Sequence, residues 1–320
     1  MKLHLSALAS ALTLAFAATS AQAELNAVTA QKGAGNSAYT VQQNSTGLIK
    51  ASISQTGDNN KAGDAAAKTG GIVQIGVNKD ISASIAQQGN QNNAGIRQEK
   101  ALTTTASLAQ TGNQNTATVR QNSASKANAA LSQNGQKNSA TLDQQGVTDF
   151  EILAKQTGSD NKLAVNQLNS ANQGAYVTQN GVNNGVTVSQ SQTAYAGVTV
   201  NQSGTGNNVK ATQKDANNVN STIAQNGTGN NALTDQSGNK NLSAINQKGN
   251  NNLTTLTQNA NANQSQVTQD GMANKATVFQ TGTNANNSLA NVSSIIQTGN
   301  GYTASLTQNG SNNQSGIVQY

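Results

Sequence analysis

Two consecutive stretches of 23 residues decide the fold: TASLAQTGNQNTATVRQNSASKA, residues 105–127, and NAALSQNGQKNSATLDQQGVTDF, residues 128–150. Laid over one another, Gln110 meets Gln133, Gly112 meets Gly135, Asn115 meets Asn138, Ala117 meets Ala140 and Gln121 meets Gln144. In an extended chain alternate residues share a face. Ala106, Leu108 and Gln110 therefore point one way, and Ser107 and Ala109 the other. After the turn, Asn115, Ala117, Val119 and Gln121 share a second face. Each stretch reads as strand, turn, strand, with both inner faces aliphatic in the middle and amide at the ends.

The same unit recurs along most of the chain. Aligned on Gln-x-Gly, its glutamines fall at Gln31, Gln55, Gln74, Gln87, Gln110, Gln133, Gln156, Gln179, Gln202, Gln225, Gln247, Gln269, Gln297 and Gln308. Six successive intervals from Gln87 to Gln225 are 23 residues long, and the next two are 22. An asparagine follows five residues on, at Asn92, Asn115, Asn138, Asn161, Asn184, Asn207, Asn230, Asn252, Asn274 and Asn313. A second glutamine follows at eleven, at Gln98, Gln121, Gln144, Gln167, Gln190, Gln213, Gln236, Gln258, Gln280 and Gln319. Gln74 heads the poorest copy, with Lys79, Ile81 and Ile85 at the later positions. Gly112, Gly135, Gly158, Gly181, Gly204, Gly227, Gly249 and Gly271 occupy the turn, where a left-handed backbone costs glycine little. The link from Asn122 to Asn128 is small and polar and suits the second turn.

Composition excludes an ordinary core and most chemistry. Asparagine and glutamine number 49 and 37 of 320 residues, apolar residues make up 34% and charged residues 9%, and there is no Pro, Cys or Trp. Without cysteine there are no disulfides or thiolate sites. The single histidine, His4, lies in an amino-terminal segment that reads as an export signal: Met1-Lys2, an apolar run from Leu5 to Ala18, and the cleavage pattern Ala21-Gln22-Ala23. The expected division is a signal peptide over 1–23 and a repeat solenoid over 24–320. The net charge of +6 is too dilute for a nucleic-acid footprint. Polar, uncharged and Pro-free composition favours β-structure and cross-β stacking over disorder.

One unit cannot stand alone, because ordering 23 residues costs more than four or five buried aliphatic side chains return. Stacking supplies the rest. Backbone groups pair with the coils above and below at about 4.7–4.8 Å, and inward amides form ladders in which each side chain donates to one neighbour and accepts from the other. The expected fold is an all-β solenoid of about 13 stacked strand-turn-strand repeats, a rod about 60 Å long. The register continues through Gln297, Gln308 and Gln319, and open edges of matching register are expected to template further chains.

The unit Gln-x-Gly-x-x-Asn-x-Ala-x-x-x-Gln resembles the curlin repeat of bacterial curli subunits. The ending Ile317-Val318-Gln319-Tyr320 is similar to that of a major curlin subunit, and the resemblance covers about Ala27 to Tyr320. It implies a secreted structural subunit of a functional amyloid fibre at the cell surface, serving biofilm matrix, adhesion and aggregation. It further implies export through the periplasm and a dedicated outer-membrane channel, nucleation by a minor curlin, and the chain itself as chief partner. No cofactor, metal or small-molecule substrate is expected, and the glutamine and asparagine positions would be structural ladder residues. An accessory or nucleating curlin and a soluble β-solenoid adhesin or binding rod are the alternatives.

Three sharper signals resolve into the repeat. Gly33-Ala34-Gly35-Asn36-Ser37-Ala38 and Gly227-Thr228-Gly229-Asn230-Asn231-Ala232 satisfy a loose dinucleotide pattern, yet both begin two residues after a ladder glutamine with no helix signal behind them. Asp143, Asp149, Glu151 and Asp160 do not form a calcium repeat and read as solvated positions or gatekeepers. Phe150 and Tyr176 are expected in packing or turn roles, since aromatics are too sparse for a stacking platform.

Overall fold

Period-two alternation closes the chain into two facing parallel sheets, as the computed structural model shows for residues 24–63, 71–282 and 290–320. The expected signal segment 1–23, with Ala21 and Ala23, lies outside the described residues. The first sheet has thirteen strands, from Glu24–Lys32 and Leu48–Thr56 through Thr105–Asn113 and Asn128–Gln136 to Asn291–Asn300 and Gln314–Gln319. The second faces it with the return strands, among them Asn93–Glu99, Thr116–Asn122, Ser139–Gln145 and, last, Thr303–Asn309. Each strand pairs parallel with its equivalent one coil away: Leu108 opposes Leu131 and Gln110 opposes Gln133 in one sheet, and Val119 opposes Leu142 and Gln121 opposes Gln144 in the other. No helix occurs among the described residues. The result is a β-solenoid of about 12 turns, its thirteenth first-sheet strand adding only half a coil to the count expected from the repeats.

The core is a single column between the sheets. Ala106, Leu108, Ala117 and Val119 make one layer, Ala129, Leu131, Ala140 and Leu142 the next, and all are buried. Large and small residues trade places along the column: Ile152 and Ala154 invert the order of Ala129 and Leu131, and Leu163 and Val165 face them from the other sheet. From coil to coil, near-identical shapes stack at strand spacing, which keeps packing dense with few large residues.

Gln74 is a correction to the sequence reading. It does not head a coil; strand Gly71–Ile75 belongs to the second sheet, between Thr40–Gln43 and Asn93–Glu99. The coil that contains it is long, with 32 residues separating Gln55 from its ladder partner Gln87. A second long coil separates Gln269 from Gln297 by 28 residues. In both cases the added residues fall in the arc of the second strand and turn, and register resumes on the far side.

Candidate self-assembly site: the amide ladders and the terminal edges

Two glutamine ladders run the length of the rod. In the first, Gln31, Gln55, Gln87, Gln110, Gln133, Gln156, Gln179, Gln202, Gln225, Gln247, Gln269, Gln297 and Gln319 are joined Nε2 to Oε1 at 2.6–3.0 Å without a break. The second joins Gln42, Gln74, Gln98, Gln121, Gln144, Gln167, Gln190, Gln213, Gln236, Gln258, Gln280 and Gln308 at 2.7–3.1 Å. Every donor points toward the coil that follows. The remaining amide proton commonly crosses to the opposite sheet, as when Gln110 donates to the Asn93 carbonyl at 3.1 Å and Gln121 to the Thr105 carbonyl at 3.2 Å. Each glutamine thus ties neighbouring coils and both sheets together, and its burial is offset by full hydrogen bonding.

An asparagine column runs antiparallel to these in its side-chain bonding. Asn36, Asn60, Asn92, Asn115, Asn138, Asn161, Asn184, Asn207, Asn230, Asn252 and Asn274 each offer Oδ1 to the backbone N–H of the next member at 2.9–3.1 Å. Their Nδ2 groups reach forward to a glycine carbonyl one coil on, as from Asn115 to Gly135 at 2.9 Å and from Asn138 to Gly158 at 2.9 Å. The column ends at Tyr302, whose N–H takes the Asn274 Oδ1 at 3.0 Å.

Those carbonyls belong to a glycine column that includes Gly112, Gly135, Gly158, Gly181, Gly204, Gly227, Gly249 and Gly271, all at positive φ. Conformation is only half of the requirement. A Cβ on Gly112 would overlap the carbonyl oxygen of Gly135, and the same holds at each step along the column. The dinucleotide-like Gly33 and Gly227 lie in this column, with Gly35 and Gly229 at the following left-handed position of the same turns.

The second turn departs from expectation. Between Gln121 and Gln133, and in the other 23-residue coils, the returning arc is one residue longer than the first, and it turns side chains inward. Ala124, Ala127, Val147 and Phe150 are buried together there, so the link is partly a satellite core and not merely small and polar. From Gln236 onward the arc shortens to eleven residues and repeats the chemistry of the first turn. Asn241, Asn263, Asn291 and Asn313 form a second asparagine column with bonds of 2.9–3.1 Å. Asn313 therefore belongs to this column and not to that of Asn92 and Asn274. The signal was present in the sequence, as asparagines five residues after Gln236, Gln258 and Gln308, and was masked by aligning only on the first turn. Ser221, Ser243, Ser265 and Ser293 were likewise missed; they replace aliphatics in the first-sheet core and pair their hydroxyls, Ser243 to Ser221 at 3.0 Å and Ser293 to Ser265 at 2.9 Å. Among the described residues, one buried side-chain amide, Asn263 Nδ2, is left without a partner.

The outer surface is sparsely charged. Its ion pairs join exposed groups, as between Lys248 and Asp270 or Lys126 and Asp149. Phe150 is buried, whereas Tyr176 lies on the outer face of the first sheet and donates its hydroxyl to Glu151 at 2.9 Å. Partial burial, then the hydrogen bond and charge of Glu151, raise the Tyr176 pKa above its ordinary 10.0.

Residues 249–282 match the family model described as curlin associated repeat. No curated protein and no solved structure matches the chain. The matched segment holds Gly249, Asn252, Gln258, Gln269, Gly271, Asn274 and Gln280, members of the same columns that run through the other coils, and the match supports assignment of the chain to the curlin-repeat family.

Proposed function

We propose that this chain is a secreted structural subunit that assembles with copies of itself into extracellular curli-like amyloid fibres, for biofilm matrix, surface adhesion and cell aggregation. The observation that carries the reading is the unbroken first glutamine ladder. Its members stack in register at strand spacing from Gln31 to Gln319, so a further copy can extend it by the same bonds that join neighbouring coils. The curlin-repeat match supports the same class of structural protein and argues against catalysis. Removal of residues 1–23 on export, passage through an outer-membrane curli channel and nucleation by a minor curlin belong to this proposal. So does an assembly role for the ladder glutamines and asparagines.

The test is seeded assembly. Residues 24–320 diluted from denaturant should convert, after a lag, to thioflavin-positive fibres with reflections near 4.7 and about 10 Å. Preformed seeds should remove the lag. A chain that stays a monodisperse monomer for weeks under these conditions overturns the reading in favour of a soluble rod.

A further inference from the structure

The two sheets end at different heights at the carboxy-terminal end of the rod, and the two turns there are differently finished. The first sheet ends on Gln314–Gln319, one level beyond the last second-sheet strand, Thr303–Asn309. At the first turn, the ring of Tyr302 lies against Gly299, where a Cβ would meet ring carbon Cε2 at 2.8 Å. In earlier coils that space holds the carbonyl of the following glycine, so Tyr302 fills the place of a further first turn. At the second turn, Gly310 faces open space apart from Asn313 Nδ2 at 3.7 Å. Asn313 is the last member of the second asparagine column, and its Oδ1 is placed as the Asn291 Oδ1 that accepts the Asn313 N–H at 3.1 Å.

From this finish we infer that a second copy of this chain docks on this end turned half a revolution about the rod axis, so that its first sheet continues the second sheet of the copy before it. The inference rests on the fibre reading and specifies its junction. Spacing supports it at every column. Gln308 and Gln319 are eleven residues apart, as are Gln31 and Gln42. The rotated copy therefore sets its Gln31 on Gln308 and its Gln42 on Gln319, extending both ladders together and in parallel. Its Gly33 falls on Gly310 and its Asn36 on Asn313, amide on amide. Ala27, Ala38 and Ile317, the partly exposed ends of the core, are covered in the same step. Without the rotation, the incoming first strand lies on Gln314–Gln319, its turn meets Tyr302 in place of an asparagine, and the second sheet is left one strand short.

Cysteine pairs distinguish the two junctions, because the chain has no cysteine of its own. Thr307 and Ala30 immediately precede Gln308 and Gln31, and Val318 precedes Gln319; all three are exposed. Neighbouring strands sit about 4.7–4.9 Å apart, within reach of a disulfide. Fibres of the Thr307→Cys/Ala30→Cys variant, oxidised after assembly, should yield covalent oligomers as the main species on a non-reducing gel. Fibres of Val318→Cys/Ala30→Cys should remain largely uncrosslinked. The reverse pattern, or equal crosslinking of both variants, overturns the half-revolution junction while leaving the fibre reading standing. Failure of the cysteine-free chain to form fibres overturns both.

Discussion

At the scale of single residues, the buried amides are held by their neighbours in the adjoining coils, and each is therefore costly to remove. Gln156 accepts from Gln133 and donates to Gln179. Gln156→Ala leaves a buried donor and a buried acceptor unpaired, and should destabilise the rod by about 2–6 kcal/mol, at about 1–3 kcal/mol for each group. Gln145→Ala, on the exposed face, should stay within about 0.5 kcal/mol by the same denaturation measurement. The Tyr176–Glu151 contact is the pH-sensitive counterpart. Its raised pKa means that the folded state favours the protonated phenol, so the contribution is whole below the unfolded value of 10.0 and is lost as pH rises through the folded one. Difference absorbance titration against Tyr176→Phe should place this phenol above 10.0, and Glu151→Gln should move it back down.

At the scale of strands and turns, identical position in the repeat does not mean identical constraint. Gly135 and Gly206 both lie in first turns at positive φ, yet only Gly135 has a carbonyl in the path of a Cβ. Gly135→Ala should lose at least about 1–3 kcal/mol from backbone conformation alone, with the overlap added to it. At Gly206 nothing lies within 4 Å of a Cβ, and the same position carries Gln114, Lys137, Asp160 and Asn183 in other coils. Gly206→Asn should be neutral or stabilising by up to about 1 kcal/mol, since it narrows the unfolded ensemble without straining the fold. Equal losses at the two sites, read from denaturant midpoints, would show that conformation and not stacking governs the turn. First turns were legible in the sequence because one glycine and one asparagine mark each of them. Second turns were not, because their extra residue moves Ala127 and Phe150 to inward positions that no alternating pattern announces.

At the scale of the whole rod, stability comes from neighbouring coils and hardly from charge. The ion pairs at Arg97–Glu99, Lys126–Asp149, Lys214–Asp215 and Lys248–Asp270 involve substantially exposed side chains, a class worth about 0–1 kcal/mol. Raising sodium chloride from about 0.05 to about 0.5 M, which shortens the screening length severalfold, should therefore leave the urea midpoint of the soluble rod nearly unchanged. A large fall would place the stability in electrostatics. The two long coils show how local the stacking is. Register lost through the additions after Gln55 and Gln280 is recovered at Gln87 and Gln308, because each coil answers only to those beside it.

The sequence by itself determined the repeat, the inward faces and the identity of nearly all ladder residues, because a period of 22–23 residues with alternating strands admits one way of stacking like on like. Which column Gln74, Asn313 and Gln308 join was decided only in three dimensions. Spacing along a chain cannot tell an inserted residue from a displaced one, whereas hydrogen-bond partners can. The tertiary structure alone also showed that Tyr302 closes one turn while Gly310 leaves the other open. That difference comes from where a ring lies between coils, and its consequence is a rod whose end is asymmetric although its repeats are nearly alike.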